Sequence, residues 1–269
     1  MKSILIVGGG WLGLPLGEDL SALGFSVTVT KTTQAGVESL PTSLNGLQLC
    51  LPNASCHVNL SSFDVIVVCI PPGLKKEPTG TRYIEKLKAL YQRLLSQKTH
   101  LIFCNSTGIY EGIEGDCDEM TTLPCGSQKS SILYEAEQLT QAQNFLRLTI
   151  LRLGGLVGAD RVPGRFLAGK RALKGAAHPV NLVHQYDVIQ AIIHCIQTEL
   201  SGTFNLVSPL RCTRKLFYTK SAMLLQLEPP EFMMADTSLG RRVSGDRITM
   251  TGFNYTCCTF EQLMDFQQQ

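Results

Sequence analysis

A chain of 269 residues with 44% apolar content suits one large domain, or a nucleotide-binding domain with a smaller lobe, and buries about three quarters of the surface it exposes when unfolded. Its 24 Lys and Arg against 22 Asp and Glu leave a net charge of +2, with no basic run longer than a pair, so nucleic-acid and membrane-surface binding have no electrostatic footprint. The opening MKSILIVGGG meets glycine too early for a secretory signal, and no stretch approaches the roughly 18–20 apolar residues of a membrane span, which predicts a cytoplasmic protein.

The first half alternates strand-like and helix-like runs. Ser3 to Val7 is a short apolar run ending at glycine, and Leu12 to Leu23 is helix-like, with Pro15 tolerable in a first turn. Ser26 to Lys31 is rich in β-branched residues, and Asp64 to Ile70 is a continuous apolar strand stopped by Pro71-Pro72-Gly73. Thr81 to Leu95 shows helical spacing, His100 to Cys104 is strand-like, Ser131 to Phe145 is helix-like and Leu148 to Leu153 is a strand. After residue 154 the texture becomes loop-rich around a short helix from Arg165 to Leu173. Strands at Asn181 to His184 and Thr203 to Val207 then flank a helix from Asp187 to Thr198, and the tail from Arg211 begins as a helix.

Continuous apolar strands imply a sheet covered on both faces, and strand–helix alternation implies parallel pairing. The fold class is therefore α/β, a doubly wound parallel Rossmann sheet with a small C-terminal α+β cap. Residues 1–155 plus about 181–207 are expected to form the dinucleotide-binding domain, and about 156–180 plus 208–269 the cap.

The ten cysteines read as reduced thiols. Cys69 and Cys104 sit in apolar runs where a thiol behaves as a small hydrophobe, Cys117 and Cys125 fall in a loop, and Cys257 and Cys258 are adjacent. There is no C-x-x-C, and Cys56-His57 has no second pair at metal-ligand spacing, so no metal is expected.

Gly8-Gly9-Gly10-Trp11-Leu12-Gly13 satisfies G-x-G-x-x-G, follows the first strand and opens a helix. Gly8 permits a tight turn, Gly10 lets the backbone approach a pyrophosphate, and Gly13 lets helix and strand pack closely. Trp11 and Leu12 begin the helix whose free N–H groups and dipole favour phosphate. Ile70, Pro71 and Pro72, at the end of a later strand, are further expected cofactor contacts. The second strand ends in Lys31, Thr32 and Thr33, with no acid before Glu38. An NAD site usually carries a carboxylate there; an ammonium and two hydroxyls favour the 2′-phosphate of NADP over NAD. One charge-assisted hydrogen bond contributes about 1.5–3 kcal/mol, about tenfold or more in preference.

Asn105-Ser106-Thr107-Gly108-Ile109-Tyr110 resembles the serine-rich turn of the extended short-chain dehydrogenases/reductases. Leu151 to Gly158, Pro163 to Lys170 and Asn181 to Val188 strengthen the likeness, which spans nearly the whole chain and is greatest for the atypical, YeeZ-like branch. The resemblance implies an NAD(P)-dependent oxidoreductase or epimerase acting on a small polar or sugar-like substrate, with Ser106 as the catalytic serine. It also implies that the helices at 81–95 and 131–145 correspond to those that pair in the homodimers of many relatives. The family's next element, Tyr-x-x-x-Lys, is missing: four residues beyond Tyr83, Tyr91, Tyr110, Tyr134, Tyr186, Tyr218 and Tyr255 stand Leu87, Leu95, Glu114, Gln138, Gln190, Ala222 and Thr259. Aligning the helix by Glu137 puts Lys129 near the tyrosine position and Leu133 at the lysine position.

Three readings follow. Lys129 or Tyr110 serves as a substitute proton donor, or Ser106 and water suffice, or the protein binds NADP without turnover as a regulator or scaffold. Arg165 and Lys170 are candidates for pairing with an anionic substrate, or solvated loop charges. His184 reads as a structural brace and His178 carries no signal. Asp116, Asp118 and Glu119 read as a solvated acidic loop.

Overall fold

The computed structural model describes residues 1–53, 59–94, 98–123, 125–143 and 145–265; Cys56 and His57 lie outside them. The chain runs through β1 (Ser3–Val7), α1 (Gly13–Ala22), β2 (Ser26–Lys31), the short α2 (Gln34–Glu38) and β3 (Asn45–Gln48). It continues through β4 (Val65–Val68), α3 (Thr81–Tyr91), β5 (His100–Ser106), β6 (Gly115–Cys117), α4 (Gln128–Gln141) and β7 (Arg147–Leu153). β8 (Gly155–Val157), α5 (Gly164–Leu167), β9 (Leu182–His184), α6 (Gln185–Gln197) and β10 (Gly202–Leu206) follow. The chain then closes with α7 (Arg214–Leu224), β11 (Arg241–Val243), α8 (Asp246–Thr249) and α9 (Phe260–Leu263).

Seven strands form one sheet in the order β10-β7-β5-β4-β1-β2-β3. The pairings of β1 with β2 and β4, of β2 with β3 and of β4 with β5 are parallel. All four residues of β4 and the last four of β1 are buried, as a sheet covered on both faces requires. Strand order reverses between β1 and β4, the switch point at whose carboxyl ends α/β folds of this kind place their ligands. β1 leads directly into Gly8 and β4 into Cys69, so the glycine turn lies at that point.

The chain divides into two compact units. The first comprises Met1–Ile109, Cys125–Leu151 and Ala191–Thr203; the second comprises Tyr110–Pro124, Arg152–Gln190 and Phe204–Gln269. The core of the first includes Leu5, Val7, Ile66, Val68, Leu87, Leu90 and Phe103, and that of the second includes Val157, Val180, Phe217, Phe260 and Leu263. Residues 110–124, 152–155, 181–190 and 204–207, expected in the Rossmann domain, group with the second unit, where β6 pairs with β11 and β8 with β9. In the first unit α3 buries Tyr83, Ile84, Leu87, Leu90 and Tyr91, and α4 buries Ile132, Leu133 and Ala136. The apolar stripes of both helices are thus accounted for by burial within that unit.

Two of the departures from the expected helix boundaries have a local cause. α4 begins at Gln128 instead of Ser131, because Ser127 accepts the Ser130 N–H at 3.1 Å while Ser130 returns a bond to the Ser127 backbone. The helix expected from Arg165 to Leu173 is a single turn: Ala168 is extended (ψ 133°) and Gly169 has φ +67°. Among the described residues no helix is long and apolar enough to cross a membrane.

Candidate functional site

The turn after β1 is built by close backbone approach. Gly8 has φ +111°, and a β-carbon there would lie 3.1 Å from the carbonyl of Cys69. A β-carbon on Gly13 would lie 2.2 Å from the Gly8 carbonyl oxygen, so only glycine lets α1 begin this near β1. Gly10 instead faces open space, with nothing within 4 Å of such a carbon. The Gly8 N–H donates to Thr30 Oγ1 at 2.9 Å and the Gly9 N–H to the Thr30 carbonyl at 3.0 Å. Leu12 offers α1 no side-chain cap. The Leu14 N–H donates to the Gly10 carbonyl at 3.0 Å, the Leu16 N–H to the Leu12 carbonyl at 3.2 Å, and Pro15 has no N–H, so the backbone edge presented to a ligand is that of the turn from Gly10 to Gly13. An open backbone edge at Gly10 followed by an uncapped ten-residue helix fits a pyrophosphate.

Lys31, at the end of β2, donates from Nζ to the Gly9 carbonyl at 2.5 Å. Two of its three ammonium hydrogens remain for another acceptor. Thr32 is exposed, and Thr33 caps α2 by accepting the Gly36 N–H at 3.1 Å; its hydroxyl hydrogen is still a donor. Ile70 and Pro72 are half-buried and Pro71 is exposed in the segment leaving β4. Gly9 and Thr30 were not foreseen, because Gly9 is a variable position of the motif. A β-carbon on Gly9 would nonetheless lie 2.3 Å from Val29 Cγ1 and 2.9 Å from the Thr30 carbonyl.

Ser106 ends β5, half-buried, and its Oγ accepts the Gly108 N–H at 3.0 Å, leaving the hydroxyl hydrogen to donate. Lys129 lies in the first turn of α4 and crosses the same turn: a β-carbon on Gly108 would lie 2.8 Å from its Cε and 3.2 Å from its Nζ. Ser106 and Lys129 are thus brought to one place within the first unit. Asn105 fixes this strand end to α4 by donating from Nδ2 to Glu137 Oε2 at 2.9 Å and to the Leu133 carbonyl at 3.2 Å. Leu133, in the family's lysine position, is 1% exposed.

Tyr110 belongs to the second unit and is fully buried. Its hydroxyl donates to Asn205 Oδ1 at 2.9 Å and accepts from Arg152 Nη1 at 2.6 Å, and the guanidinium also lies 5.2 Å from the ring centroid. Burial pushes this phenol up to about 12, against the lowering effect of Arg152. That environment makes Tyr110 a structural tie in the second unit.

The acidic residues after the turn separate. Asp116 lies 3.4 Å from Arg242, Asp118 accepts the Met120 N–H at 2.9 Å, and Glu119 accepts the Asn205 N–H at 2.6 Å. Among the described residues no three His, Cys, Asp or Glu side chains gather as a metal site. His184 accepts the Tyr186 N–H on Nδ1 at 3.2 Å, which leaves Nε2 to donate to the Asp265 carbonyl at 3.1 Å; burial lowers its pKa. His178, silent in the sequence, bonds Ser238 Oγ at 2.7 Å, with its ring filling the space where side chains on Gly175 and Gly240 would stand. Arg165 and Lys170 are exposed. The second unit holds a cavity of about 530 Å³ whose charged lining is Arg211, Arg242, Asp116 and Asp246, with Arg242 3.4 Å from Asp116.

The reversed strand order, the glycine turn at the switch point and the Ser106 turn ending β5 define a protein of the Rossmann fold. Protein YeeZ of Escherichia coli K12 is 37% identical over 267 residues, which cover 95% of this chain and 96% of YeeZ. The human epimerase family protein SDR39U1 (isoform 2), solved with NADPH, shares 18% identity over 100% of both chains, with a TM-score of 0.74. UDP-glucuronic acid 4-epimerase from Bacillus cereus, solved with NAD, shares 14% identity over 97% of this chain and 98% of its own, with a TM-score of 0.78. No family model matches the chain. The likeness to the two solved structures is one of fold; the likeness to YeeZ is one of family. The chain belongs to the atypical, YeeZ-like branch of the extended short-chain dehydrogenases/reductases.

Proposed function

We propose that this protein binds a nicotinamide dinucleotide at the Gly8–Gly13 turn, prefers NADP to NAD, and acts as an oxidoreductase or epimerase on a small polar, sugar-like substrate. The observation that carries this reading is the Lys31 ammonium held against the Gly9 carbonyl, with no carboxylate at the end of β2. Gly10 and the first turn of α1 would meet the pyrophosphate, and Lys31 with Thr32 and Thr33 the 2′-phosphate. When bound, the nicotinamide supplies a hydride donor or acceptor. Ser106 donates its hydroxyl hydrogen to a substrate oxygen, and Lys129, across Gly108, holds the proton that the missing tyrosine would have carried. A regulator that holds NADP without turnover is the second reading, favoured by one observation: apolar Leu133 is buried where the family's lysine stands.

Thermal unfolding with NADP(H) and separately with NAD(H) tests the binding. Ligand at 100 times its Kd adds about 2.7 kcal/mol, a shift of roughly 2–4 °C per kcal/mol in a chain of this size. Stabilisation by NADP(H) that is lost in Lys31→Asp supports the reading, and no stabilisation by either cofactor overturns it. Reduction of a carbonyl panel by the native protein, lost in Ser106→Ala, separates the enzyme from the regulator.

A further inference from the structure

Two thiols face each other below the glycine turn. β4 and β5 are parallel with Val68 opposite Phe103, and the next residue on each chain is a cysteine. The sulfurs of Cys69 and Cys104 lie 3.9 Å apart. Neighbouring strands run about 4.8 Å apart, inside the roughly 4.4–6.8 Å between α-carbons that a disulfide accepts. The strand spacing therefore admits a disulfide, and closing the 3.9 Å gap between the sulfurs to a bond of about 2.05 Å draws the two strand ends together.

Both cysteines are half-buried, and the hydrogen bond with Cys69 and desolvation push the Cys104 thiol well above its ordinary value. The Cys69 backbone supports the turn. Its N–H donates to the Val7 carbonyl at 2.8 Å, and its own carbonyl is the group a β-carbon on Gly8 would meet at 3.1 Å. Ile70, Pro71 and Pro72 continue directly from it.

We propose that Cys69 and Cys104 form a reversible disulfide when the protein meets a hydroperoxide, and that this disulfide weakens dinucleotide binding by shifting the Cys69 backbone against Gly8. The second half rests on the dinucleotide site proposed above. In the first step the sulfur of one cysteine attacks a peroxide oxygen; the O–O bond breaks, water leaves and a sulfenic acid remains. In the second, the sulfur of the other cysteine attacks the sulfenic sulfur; the S–S bond forms, the S–O bond breaks and a second water leaves. Two thiols lose two protons and two electrons, and one hydrogen peroxide becomes two waters. A dithiol reductant reverses the reaction by exchange. Because linkage is reciprocal, bound dinucleotide opposes the disulfide by the factor with which the disulfide opposes the dinucleotide.

The test treats the full-length protein with hydrogen peroxide, with and without saturating NADP⁺, and follows it by alkylation and peptide mass mapping. The expected result is a Cys69–Cys104 linked peptide, lighter than its two parts by two hydrogen atoms, reversed by dithiothreitol and absent in Cys104→Ser and Cys104→Ala. NADP⁺ is expected to slow its formation about tenfold, and the oxidised protein to bind NADP⁺ about tenfold more weakly, a coupling typical of linked sites. Absence of the linked peptide overturns the disulfide. A linked peptide formed at equal rates with equal affinity overturns the coupling. Failure of the reduced protein to bind NADP⁺ overturns the dinucleotide site and the coupling with it, while the mass of the linked peptide still decides the disulfide.

Discussion

The ammonium of Lys31 donates a 2.5 Å hydrogen bond to the carbonyl oxygen of Gly9. This bond ties the end of β2 to the glycine turn, so one side chain both shapes the turn and sets its charge. Replacing Lys31 by Met keeps the apolar stem and removes the charge. The expected outcome is a fall of about tenfold or more in the ratio of NADP to NAD affinity, the equivalent of one charge-assisted hydrogen bond. Isothermal titration with both nucleotides reads that ratio; an unchanged ratio assigns Lys31 to turn structure alone.

Gly13 and Gly10 should respond oppositely to alanine. At Gly13 the added carbon meets the Gly8 carbonyl oxygen at 2.2 Å, a backbone atom that cannot move cheaply. Gly13→Ala should lose at least about 1–3 kcal/mol, the usual range for overpacking, in urea unfolding. At Gly10 there is room, so Gly10→Ala should unfold like the native protein yet bind nucleotide more weakly. Loss of stability in Gly10→Ala, or its absence in Gly13→Ala, contradicts the geometry.

Tyr110 and Lys129 separate structure from chemistry. Tyr110→Phe removes the acceptor of Arg152 Nη1 and the donor to Asn205 Oδ1, at about 1–3 kcal/mol for buried groups left unpaired. Turnover per folded molecule should change little, since burial holds this phenol up at about 12. Lys129 is exposed, so Lys129→Met should leave stability nearly unchanged and lower turnover about 100-fold or more, as loss of a general acid does. The reverse pattern returns the proton to Tyr110.

His100 gives the fold a dependence on pH. It is buried, bonds Thr149 Oγ1 at 2.8 Å, and is lowered to about 4 by desolvation first and the Arg147 charge second. Between about pH 6.5 and 4 the unfolded chain binds the proton that folded His100 refuses, so stability falls as pH falls through that window. The loss from pH 7 to pH 5 should be about 2 kcal/mol. Urea unfolding at both values checks it, and His100→Gln should flatten the dependence.

What the sequence determined by itself was whatever a local signal encodes. Gly8, Gly10 and Gly13 mark a turn because their spacing follows an apolar strand, and β1, β2 and β7 are legible because buried strands of a covered sheet are continuous apolar or β-branched runs. The missing Tyr-x-x-x-Lys is likewise a fact of spacing. Tertiary structure decided what depends on pairing between distant segments. β3 is polar and lies at the sheet edge, and β6 and β11 are three residues each, so none carries a period to read. Ser127 and Ser130 start α4 one turn early and thereby carry Lys129 over Gly108. Cys69 and Cys104, 35 residues apart and each readable only as a small core residue, become neighbours because β4 and β5 share a register. Periodicity and turn chemistry act within a few residues; register and burial exist only once the strands have paired.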